Sequence, residues 1–152
     1  TEAHGLPPYE ISNHAAPGAE SQHNLVYWRY GEFLGVGPGA HGRVRIGGAL
    51  RATSTERLPE RWRAAVVDKG EGLVMSDAVP EQDQAEEYLV MALRLSEGLD
   101  AARYARLAGR PLDATRVDTL ASEGLIVRRE GRVTATPRGR LVLNALAAEL
   151  AR

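Results

Sequence analysis

The chain of 152 residues contains no cysteine. This absence excludes disulfide bonds, a cysteine-ligated zinc site and thiolate ligation of an iron–sulfur cluster within this segment. No apolar stretch approaches the roughly 20 residues that span a bilayer, and residues 1–5 lack the features of a signal peptide. The net charge of −1 creates no overall field that favours nucleic acid or an anionic membrane. Together these absences predict a cytoplasmic polypeptide.

Aromatic residues are also scarce, at 5% of the chain, but they are clustered. Tyr27, Trp28, Tyr30 and Phe33 lie within seven residues of one another. All four histidines come before residue 42, and they are His4, His14, His23 and His41. The residues suited to binding and proton transfer are therefore concentrated in the N-terminal third.

The first 53 residues combine glycine with short apolar runs, a pattern typical of strands. Gly47-Gly48 has the turn chemistry of a hairpin, and a short helix is predicted over 24–30, ending at Gly31. The predicted strands are 9–11, 33–36, 44–46 and 50–53. Because the strands are few and begin almost at the first residue, this region is interpreted as part of a larger sheet.

From Pro59 the pattern becomes helical. Pro59 suits the first position of a helix and Gly70 its end. Residues 71–79 are predicted to form a loop, and a longer helix is predicted from Pro80-Glu81 to about Glu97. The second half of the chain is thus expected to be largely helical.

The remaining elements predict a winged helix. Asp100 and Asp113 are candidate helix caps, Glu130-Gly131 is the turn of a small hairpin, and Thr136-Pro137 begins a last helix. Helix, helix, helix, two-stranded wing, helix is the order of a winged-helix domain. Many such domains bind DNA through the helix before the wing.

The charges of this region do not favour DNA binding. The helix before the wing carries Asp113, Asp118 and Glu123 against the single basic residue Arg116. A DNA reader presents basic residues there. The wing itself offers Arg128, Arg129, Arg132, Arg138 and Arg140. A docking surface or lid is the preferred interpretation, with a DNA-binding module as an alternative.

A glycine-rich stretch follows the predicted strand 33–36. Gly35, Gly37, Gly39 and Gly42 allow positive φ and a close approach of backbone N–H groups to a ligand. The stretch is neither a P-loop nor a good dinucleotide fingerprint. A tight turn explains it equally well. His41 is a candidate proton-transfer group, a metal or haem ligand, or a hydrogen-bonding anchor of the turn.

The helix that precedes this stretch leaves similar alternatives open. His23 and Asn24 are candidate helix caps as well as candidate ligand contacts. On a helix His23 and Tyr27 share a face. Tyr27 and Trp28 can fill a core or stack on a cofactor. Each residue alone is ambiguous, and the combination is what indicates a binding site.

Several short motifs occur in the order and spacing of one protein family. They are Tyr9-Glu10-Ile11-Ser12-Asn13, Ala15, Pro17-Gly18, His23-Asn24, Tyr27-Trp28, residues 35–42, residues 93–100, residues 120–125 and residues 136–144. Together they resemble the C-terminal portion of HemW-type proteins, in the oxygen-independent coproporphyrinogen III oxidase-like group of radical S-adenosylmethionine (SAM) proteins. The His-Asn-x-x-Tyr-Trp element resembles HemW-type proteins rather than true coproporphyrinogen dehydrogenases.

The resemblance implies an α+β chain in three parts. Residues 1–58 correspond to the C-terminal strands of a truncated partial α/β barrel, residues 59–79 to a connecting helix and loop, and residues 80–152 to a HemN-type, winged-helix-like domain. A full-length member has an N-terminal radical SAM domain, whose Cys-x-x-x-Cys-x-x-Cys loop binds a 4Fe–4S cluster with SAM at the open iron. This cysteine-free chain is therefore expected to be a fragment without a metal site, cofactor, catalytic residue or enzymatic activity of its own.

The function implied by the resemblance is that of a haem chaperone, which binds haem or a porphyrin and delivers haem to a respiratory haem-protein acceptor. The residues expected to contact haem or substrate are His23, Asn24, Tyr27, Trp28 and His41. The residues expected to border the SAM side are Gly35, Gly37, Gly39 and Gly42. A fragment of an oxygen-independent coproporphyrinogen III oxidase is the alternative. Without the rest of the barrel, exposed strand edges predict self-association.

Three positions depart from the family pattern. Ser21 stands where family members usually carry a cysteine, and His14 and Ala16 stand where they tend to have phenylalanine and arginine. If the cysteine thiol takes part in haem capture, this chain lacks it. His14 adds an imidazole at a position that is otherwise apolar.

Overall fold

A computed structural model describes residues 2–152, which form two compact units. One unit comprises the described residues up to Tyr30 together with Glu81–Arg152, and the other comprises Gly31–Pro80. Both helices and strands are present, so the prediction of mixed helix and strand is confirmed. Within residues 2–152 no helix is long and apolar enough to cross a membrane.

The helices and strands alternate irregularly along the chain. A 3-10 turn at Glu2–His4 comes first. The helices are α1 (Gln22–Trp28), α2 (Pro59–Lys69), α3 (Glu81–Ala92), α4 (Ala101–Ala108), α5 (Ala114–Ser122), α6 (Pro137–Leu141) and α7 (Leu143–Ala151). The strands are β1 (His41–Ile46), β2 (Ala49–Thr55), β3 (Leu73–Ala78), β4 (Leu99–Asp100), β5 (Ile126–Arg129) and β6 (Arg132–Ala135).

The unit formed by residues 31–80 is built on an antiparallel sheet in the order β1-β2-β3. The β1–β2 hairpin turns at Gly47 and Gly48, whose φ angles of 59° and 86° only glycine adopts readily. Helix α2 has Pro59 in its first turn and ends at Gly70 with a φ of 80°. The predicted hairpin and α2 are both observed.

The unit that contains residues 81–152 has the larger hydrophobic core. Leu89, Leu93 and Leu99 are 0%, 1% and 0% exposed, and they pack among buried residues of α3, α4, α5, β5, β6 and α7. Asp100 and Asp113 cap α4 and α5, accepting hydrogen bonds from the main-chain N–H groups three residues on at 2.8 and 2.9 Å. The predicted order of elements is observed. The winged-helix assignment stays a prediction.

Strand β4 extends the predicted two-stranded wing. It pairs with β6, so the sheet has three strands in the order β4-β6-β5. Gly98, which precedes β4, has a φ of 72°, and a Cβ there would lie 2.5 Å from the carbonyl oxygen of Val133. Glycine at this position therefore allows the chain to pass directly against β6.

Several predicted boundaries are wrong. Residues 71–79, predicted as a loop, contain β3, an edge strand that leaves Val74 63% exposed. Its sequence lacks the alternation of a half-buried strand. The predicted strands 9–11 and 33–36 are reduced to single bridges, Glu10 with Leu95 and Phe33 with Arg43.

Two predicted helices also end differently. Helix α3 stops at Ala92 instead of near Glu97, because the next turn tightens as Leu95 N–H donates to the Ala92 carbonyl at 3.1 Å. The last helix is split into α6 and α7 by Val142, whose φ of −121° is not helical. Apolar periodicity continues through both breaks, so it does not reveal them.

Candidate functional site

Helix α1 begins one position before the first histidine of the candidate site. Ser21 is its N-cap, and the Ser21 Oγ accepts a hydrogen bond from the Asn24 main-chain N–H at 3.3 Å. The alternative that His23 or Asn24 caps the helix is therefore wrong. Ser21, at the position where the family usually has cysteine, provides this cap.

The first turn of α1 presents an imidazole beside an aromatic ring. His23 is exposed, and its ring meets the ring of Tyr27 edge to face, with centroids 4.8 Å apart and planes at 76°. The four-residue spacing on a helix produces this contact. Asn24 is half-buried, and its Nδ2 donates a hydrogen bond to the Tyr9 hydroxyl at 3.2 Å.

The last turn of α1 carries Trp28, which is half-buried. The Arg94 guanidinium lies over the Trp28 ring, 5.6 Å from its centroid, at a distance where cation–π attraction operates. Leu25, on the same helix, is only 6% exposed and anchors α1 to the rest of the unit. The structure thus brings His23, Asn24, Tyr27 and Trp28 together on one short helix.

The C-terminal end of α1 is held by a second arginine. Arg103 donates hydrogen bonds to the main-chain carbonyls of Arg29 and Tyr30 at 2.7 and 3.0 Å, satisfying groups that a helix end leaves unpaired. Its guanidinium also lies 4.4 Å from the centroid of the Tyr88 ring. Tyr30 has a left-handed φ of 53°, and its hydroxyl donates to Glu87 at 2.6 Å.

Arg29, the residue after Trp28, forms a bidentate ion pair with Glu97. Its Nε and Nη2 lie 2.9 and 2.7 Å from the two carboxylate oxygens. These hydrogen bonds hold the pKa of Glu97 below its ordinary value. The side chains of Arg29 and Glu97 are 49% and 36% exposed, so the pair is open to solvent.

A cavity of about 250 Å³ lies at this end of α1. Its polar lining consists largely of charged groups from the residue after α1, the connection between α3 and β4, strands β4 and β6, and α4. The polar and charged residues of the lining are Arg29, Tyr88, Glu97, Asp100, Arg103 and Arg132. The pKa of Asp100 is lowered, chiefly because its carboxylate accepts the Arg103 main-chain N–H.

A buried carboxylate lies in the same unit. Glu10 is 0% exposed, and its Oε1 accepts a hydrogen bond from the Ser12 main-chain N–H at 3.0 Å. Its Oε2 has no hydrogen-bond partner among the described residues. A buried, unpaired carboxylate oxygen is costly for a fold.

The glycine loop, defined here as residues 35–42, lies in the unit formed by residues 31–80. A Cβ atom at Gly35 would overlap the main-chain carbonyl of His41. At Gly42 a Cβ would lie 2.5 Å from the Thr53 Oγ1 and 3.1 Å from the Phe33 carbonyl oxygen. Glycine is therefore required at position 35 by close main-chain packing, and at position 42 by close packing against Thr53 and the main chain.

The middle of the glycine loop is held by Thr55 and its neighbour. Thr55 Oγ1 donates to the Gly37 carbonyl at 2.6 Å and accepts the Ala40 main-chain N–H at 2.8 Å. The Gly39 N–H donates to the Glu56 carbonyl at 2.8 Å. Gly37 and Gly39 have φ angles of 99° and 71°. The N–H groups of Gly39 and Ala40 are thus already paired within the protein and do not point to an anionic ligand.

His41 begins β1, where it is exposed and lies opposite Ser54 in the sheet register. It belongs to residues 31–80, whereas His23, Asn24, Tyr27 and Trp28 belong to the other unit. No group of three or more His, Asp or Glu side chains suited to a metal ion occurs in the part of the chain from residue 2 onward. The cysteine-free chain does not fit a 4Fe–4S cluster.

The wing arginines are largely engaged in contacts with the protein itself. Arg128 pairs with Asp118 at 2.7 Å. Arg132 donates to the Gly98 carbonyl at 3.1 Å, and Arg140 donates to the Ser96 Oγ at 3.0 Å. The contacts of Arg132 and Arg140 favour a structural role for these two residues over phosphate binding. The Arg128–Asp118 pair is exposed to solvent and contributes little free energy.

The residues that sequence reasoning missed are the arginines and acids around α1. Arg94 and Glu97 lie within residues 93–100, one of the motifs that carry the family resemblance. Their place in that motif is the sequence signal that could have indicated a role at the site. Nothing in the local sequence indicates that Arg103, from α4, reaches the end of α1. Such long-range contacts depend on the tertiary packing.

Comparison with known proteins identifies relatives over most of the chain. The family model described as HemN C-terminal domain matches residues 79–142. The protein named heme chaperone HemW from Bacillus subtilis is 36% identical over 146 residues, which is 94% of this chain and 38% of the relative. HemW from Escherichia coli is 33% identical over 148 residues, covering 95% of this chain and 38% of the relative. The chain thus spans 38% of the length of both relatives.

A mitochondrial protein from Danio rerio, named radical S-adenosyl methionine domain-containing protein 1, is 41% identical over 102 residues, covering 64% of this chain and 23% of the relative. Among solved structures, the chain resembles coproporphyrinogen III oxidase (HemN) from Escherichia coli, which is described as a radical SAM enzyme. The TM-score is 0.67 with 17% sequence identity, over 99% of this chain and 38% of that one. This match shows the fold. Together the comparisons confirm the resemblance read from the motifs.

Proposed function

Because the chain carries a HemN C-terminal domain and is homologous over most of its length to HemW haem chaperones, we propose that it is the C-terminal part of a radical SAM haem chaperone. In this proposal the protein binds haem as cargo and passes it to a respiratory haem protein. The observation that carries the proposal is the homology to HemW over 94% of the chain.

The geometry of α1 supports a role in holding haem. An exposed imidazole can ligate the porphyrin iron, and the His23 ring is exposed against Tyr27. Tyr27 and Trp28 offer partly exposed aromatic surface on which a flat apolar ring can pack. We assign haem contacts to His23, Asn24, Tyr27 and Trp28, and we retain His41 as a second candidate ligand.

The radical SAM chemistry of the relatives requires residues beyond those of this chain. A 4Fe–4S cluster and SAM supply radical chemistry when bound, and the cluster ligands would lie in the N-terminal domain of the longer protein. We keep the glycine loop as a proposed border of the SAM side through Gly35, Gly37, Gly39 and Gly42. We also propose that residues 80–152 are a winged-helix-like docking domain, that residues 1–58 complete a partial barrel, and that the protein is cytoplasmic.

The test is a haem titration followed by absorbance spectroscopy. We expect the wild-type chain to bind ferric haem saturably with a shifted Soret band. The His23→Ala, His41→Ala double variant should lose or change this spectrum. The matched control is the His4→Ala, His14→Ala double variant, which removes two other exposed histidines and should bind like the wild type. An identical spectrum and affinity in all three proteins would show that the ligand assignment is wrong.

A second candidate function is supported by the fold similarity to coproporphyrinogen III oxidase. In this alternative the longer protein oxidatively decarboxylates coproporphyrinogen III. An anaerobic assay with SAM and a reductant, on the chain joined to its radical SAM domain, distinguishes the two. Turnover to protoporphyrinogen would favour the oxidase, and haem binding without turnover would favour the chaperone.

A further inference from the structure

The cavity at the C-terminal end of α1 has more positive than negative charge. Its lining includes Arg29, Arg103 and Arg132 but only two acids, Glu97 and Asp100. The guanidinium of Arg103 donates to the neutral carbonyls of Arg29 and Tyr30 and lies over Tyr88. Its charge is therefore not matched by a carboxylate in the cavity, and an additional anion is electrostatically favoured there.

Arg132 adds positive potential to the same cavity. Its Nη1 donates to the Gly98 carbonyl at 3.1 Å, which fixes the side chain in the lining. Its charge helps to lower the pKa of both Glu97 and Asp100. Both acids therefore remain ionised at neutral pH. A ligand that enters the cavity meets three positive and two negative side chains.

The Arg29–Glu97 pair is suited to exchange. The side chains are 49% and 36% exposed, and ion pairs with such exposure contribute little free energy. Arginine binds a carboxylate through two parallel hydrogen bonds, and any carboxylate can make them. Replacing the Glu97 carboxylate by that of a ligand would conserve the two hydrogen bonds of Arg29.

The cavity lies at the C-terminal end of the helix that carries Tyr27 and Trp28, although neither ring lines it. Arg29 directly follows Trp28, and the Trp28 ring is covered by the guanidinium of Arg94. A porphyrin has the complementary chemistry, because its carboxylates extend on short flexible chains from one edge of a flat apolar ring. An arginine-lined cavity at the end of α1, one residue beyond Trp28 in the sequence, fits that division between ring and carboxylate.

We propose that this cavity binds a propionate carboxylate of the porphyrin ligand. On binding, the ligand carboxylate replaces the Glu97 carboxylate as the hydrogen-bonding partner of Arg29. The inference rests on the proposed function, since it identifies which part of the ligand this end of α1 recognises. It also assigns different parts to neighbouring residues: Tyr27 and Trp28 contact the ring, and Arg29 binds the carboxylate. Arg103 and Arg132 supply the positive potential.

The test compares metal-free mesoporphyrin with its dimethyl ester by fluorescence titration. Neither probe contains iron, so the result does not depend on His23 or His41. We expect the free acid to bind the wild-type chain about tenfold more tightly than the diester, as a charge-assisted hydrogen-bonded pair allows. Equal affinities would overturn the carboxylate site and leave the proposed function standing. Failure of both probes to bind would also overturn the carboxylate site, whereas the titration with ferric haem tests the proposed function separately.

Two substitutions separate ligand recognition from a structural role. Arg29→Gln should abolish the difference between acid and diester. Glu97→Gln should tighten binding of the acid, because the competing carboxylate is gone, and leave the diester unchanged. If the pair is only structural, both variants will weaken both probes to the same extent, a result that overturns the proposal.

The matched control is the ion pair of Arg116 and Glu149, whose side chains are 34% and 38% exposed and do not line this cavity. Arg116→Gln and Glu149→Gln should leave both affinities unchanged. If Arg29→Gln does not fold, as judged by circular dichroism, Glu97→Gln still tests the proposal, because this variant is expected to bind the free acid more tightly than the wild type. A weaker affinity of Glu97→Gln for the acid contradicts the exchange.

Discussion

Helix α1 and the glycine loop both carry the motifs of the family resemblance, but the structure explains them differently. In the glycine loop, close main-chain contacts at Gly35 and Gly42 account for the absence of side chains. In α1, the packing of the protein does not explain why an exposed histidine lies on a tyrosine. The comparison separates a motif that is needed for folding from one that presents an exposed imidazole.

The environments of the two regions reinforce this difference. Main-chain N–H groups of Gly39 and Ala40 are hydrogen-bonded within their own unit. The end of α1 is instead surrounded by arginine side chains, and a charged cavity adjoins it. We therefore expect substitutions in the glycine loop to change stability and those on the surface of α1 to change ligand binding.

The largest effect on stability is expected at Gly35. Gly35→Ala places a Cβ against the His41 carbonyl, so the chain must shift, at a cost of about 3 kcal/mol. Chemical denaturation measures this loss. The control is Val36→Ala, at a neighbouring side chain that is 85% exposed, with an expected change within about 0.5 kcal/mol. A Gly35→Ala protein as stable as the wild type would remove the packing explanation.

The next effect is expected at Arg103. Arg103→Met keeps much of the side-chain length but leaves two carbonyls at the end of α1 without their donor, at a cost of about 1–2 kcal/mol. Faster hydrogen exchange of the α1 amides should accompany the loss. Arg106→Met, on the exposed side of α4, is the control and should leave α1 unchanged. Unaltered exchange in Arg103→Met would mean that Arg103 does not secure α1.

A smaller effect is expected for the contact of α1 with Tyr9. Tyr9→Phe removes the hydroxyl that accepts the Asn24 amide hydrogen bond at 3.2 Å. The expected loss of unfolding free energy is about 1 kcal/mol. Combining Tyr9→Phe with Asn24→Ala in a double-mutant cycle measures the coupling. Strict additivity of the two substitutions would show that the hydrogen bond contributes nothing.

The smallest effect is expected from pH. The folded-state pKa values of Glu97 and Asp100 lie below their unfolded values. Their contribution is therefore present above the unfolded pKa and is lost as the pH falls through the carboxyl range, below about pH 5. Denaturation at several pH values should show a shallower acid loss in Glu97→Gln than in the wild type. Equal slopes would contradict the assigned shift of Glu97.

Much of the fold is predictable from local signals. Pro59 and Gly70 mark both ends of α2, and Asp100 and Asp113 mark the starts of α4 and α5, because caps act within one turn. Strand β3 is not predictable in this way, since it depends on pairing with β2 at the edge of a sheet. The break at Val142 likewise has no local signal.

The candidate site is predictable only in part. The motif residues His23, Tyr27 and Trp28 lie on one helix, as their spacing indicates. The arginines that surround the helix come from positions far along the chain, and Arg103 is 74 residues from Arg29. The sequence therefore indicates the aromatic and imidazole groups of the site but not the charged cavity beside them.

The most direct test of the account is to separate the two histidines in the haem titration. If α1 is the ligand-binding element, His23→Ala alone should reproduce the altered Soret spectrum of the double variant, and His41→Ala alone should retain the wild-type spectrum. If His41→Ala alone reproduces the altered spectrum while His23→Ala binds haem normally, the assignment of ligand binding to α1 is contradicted.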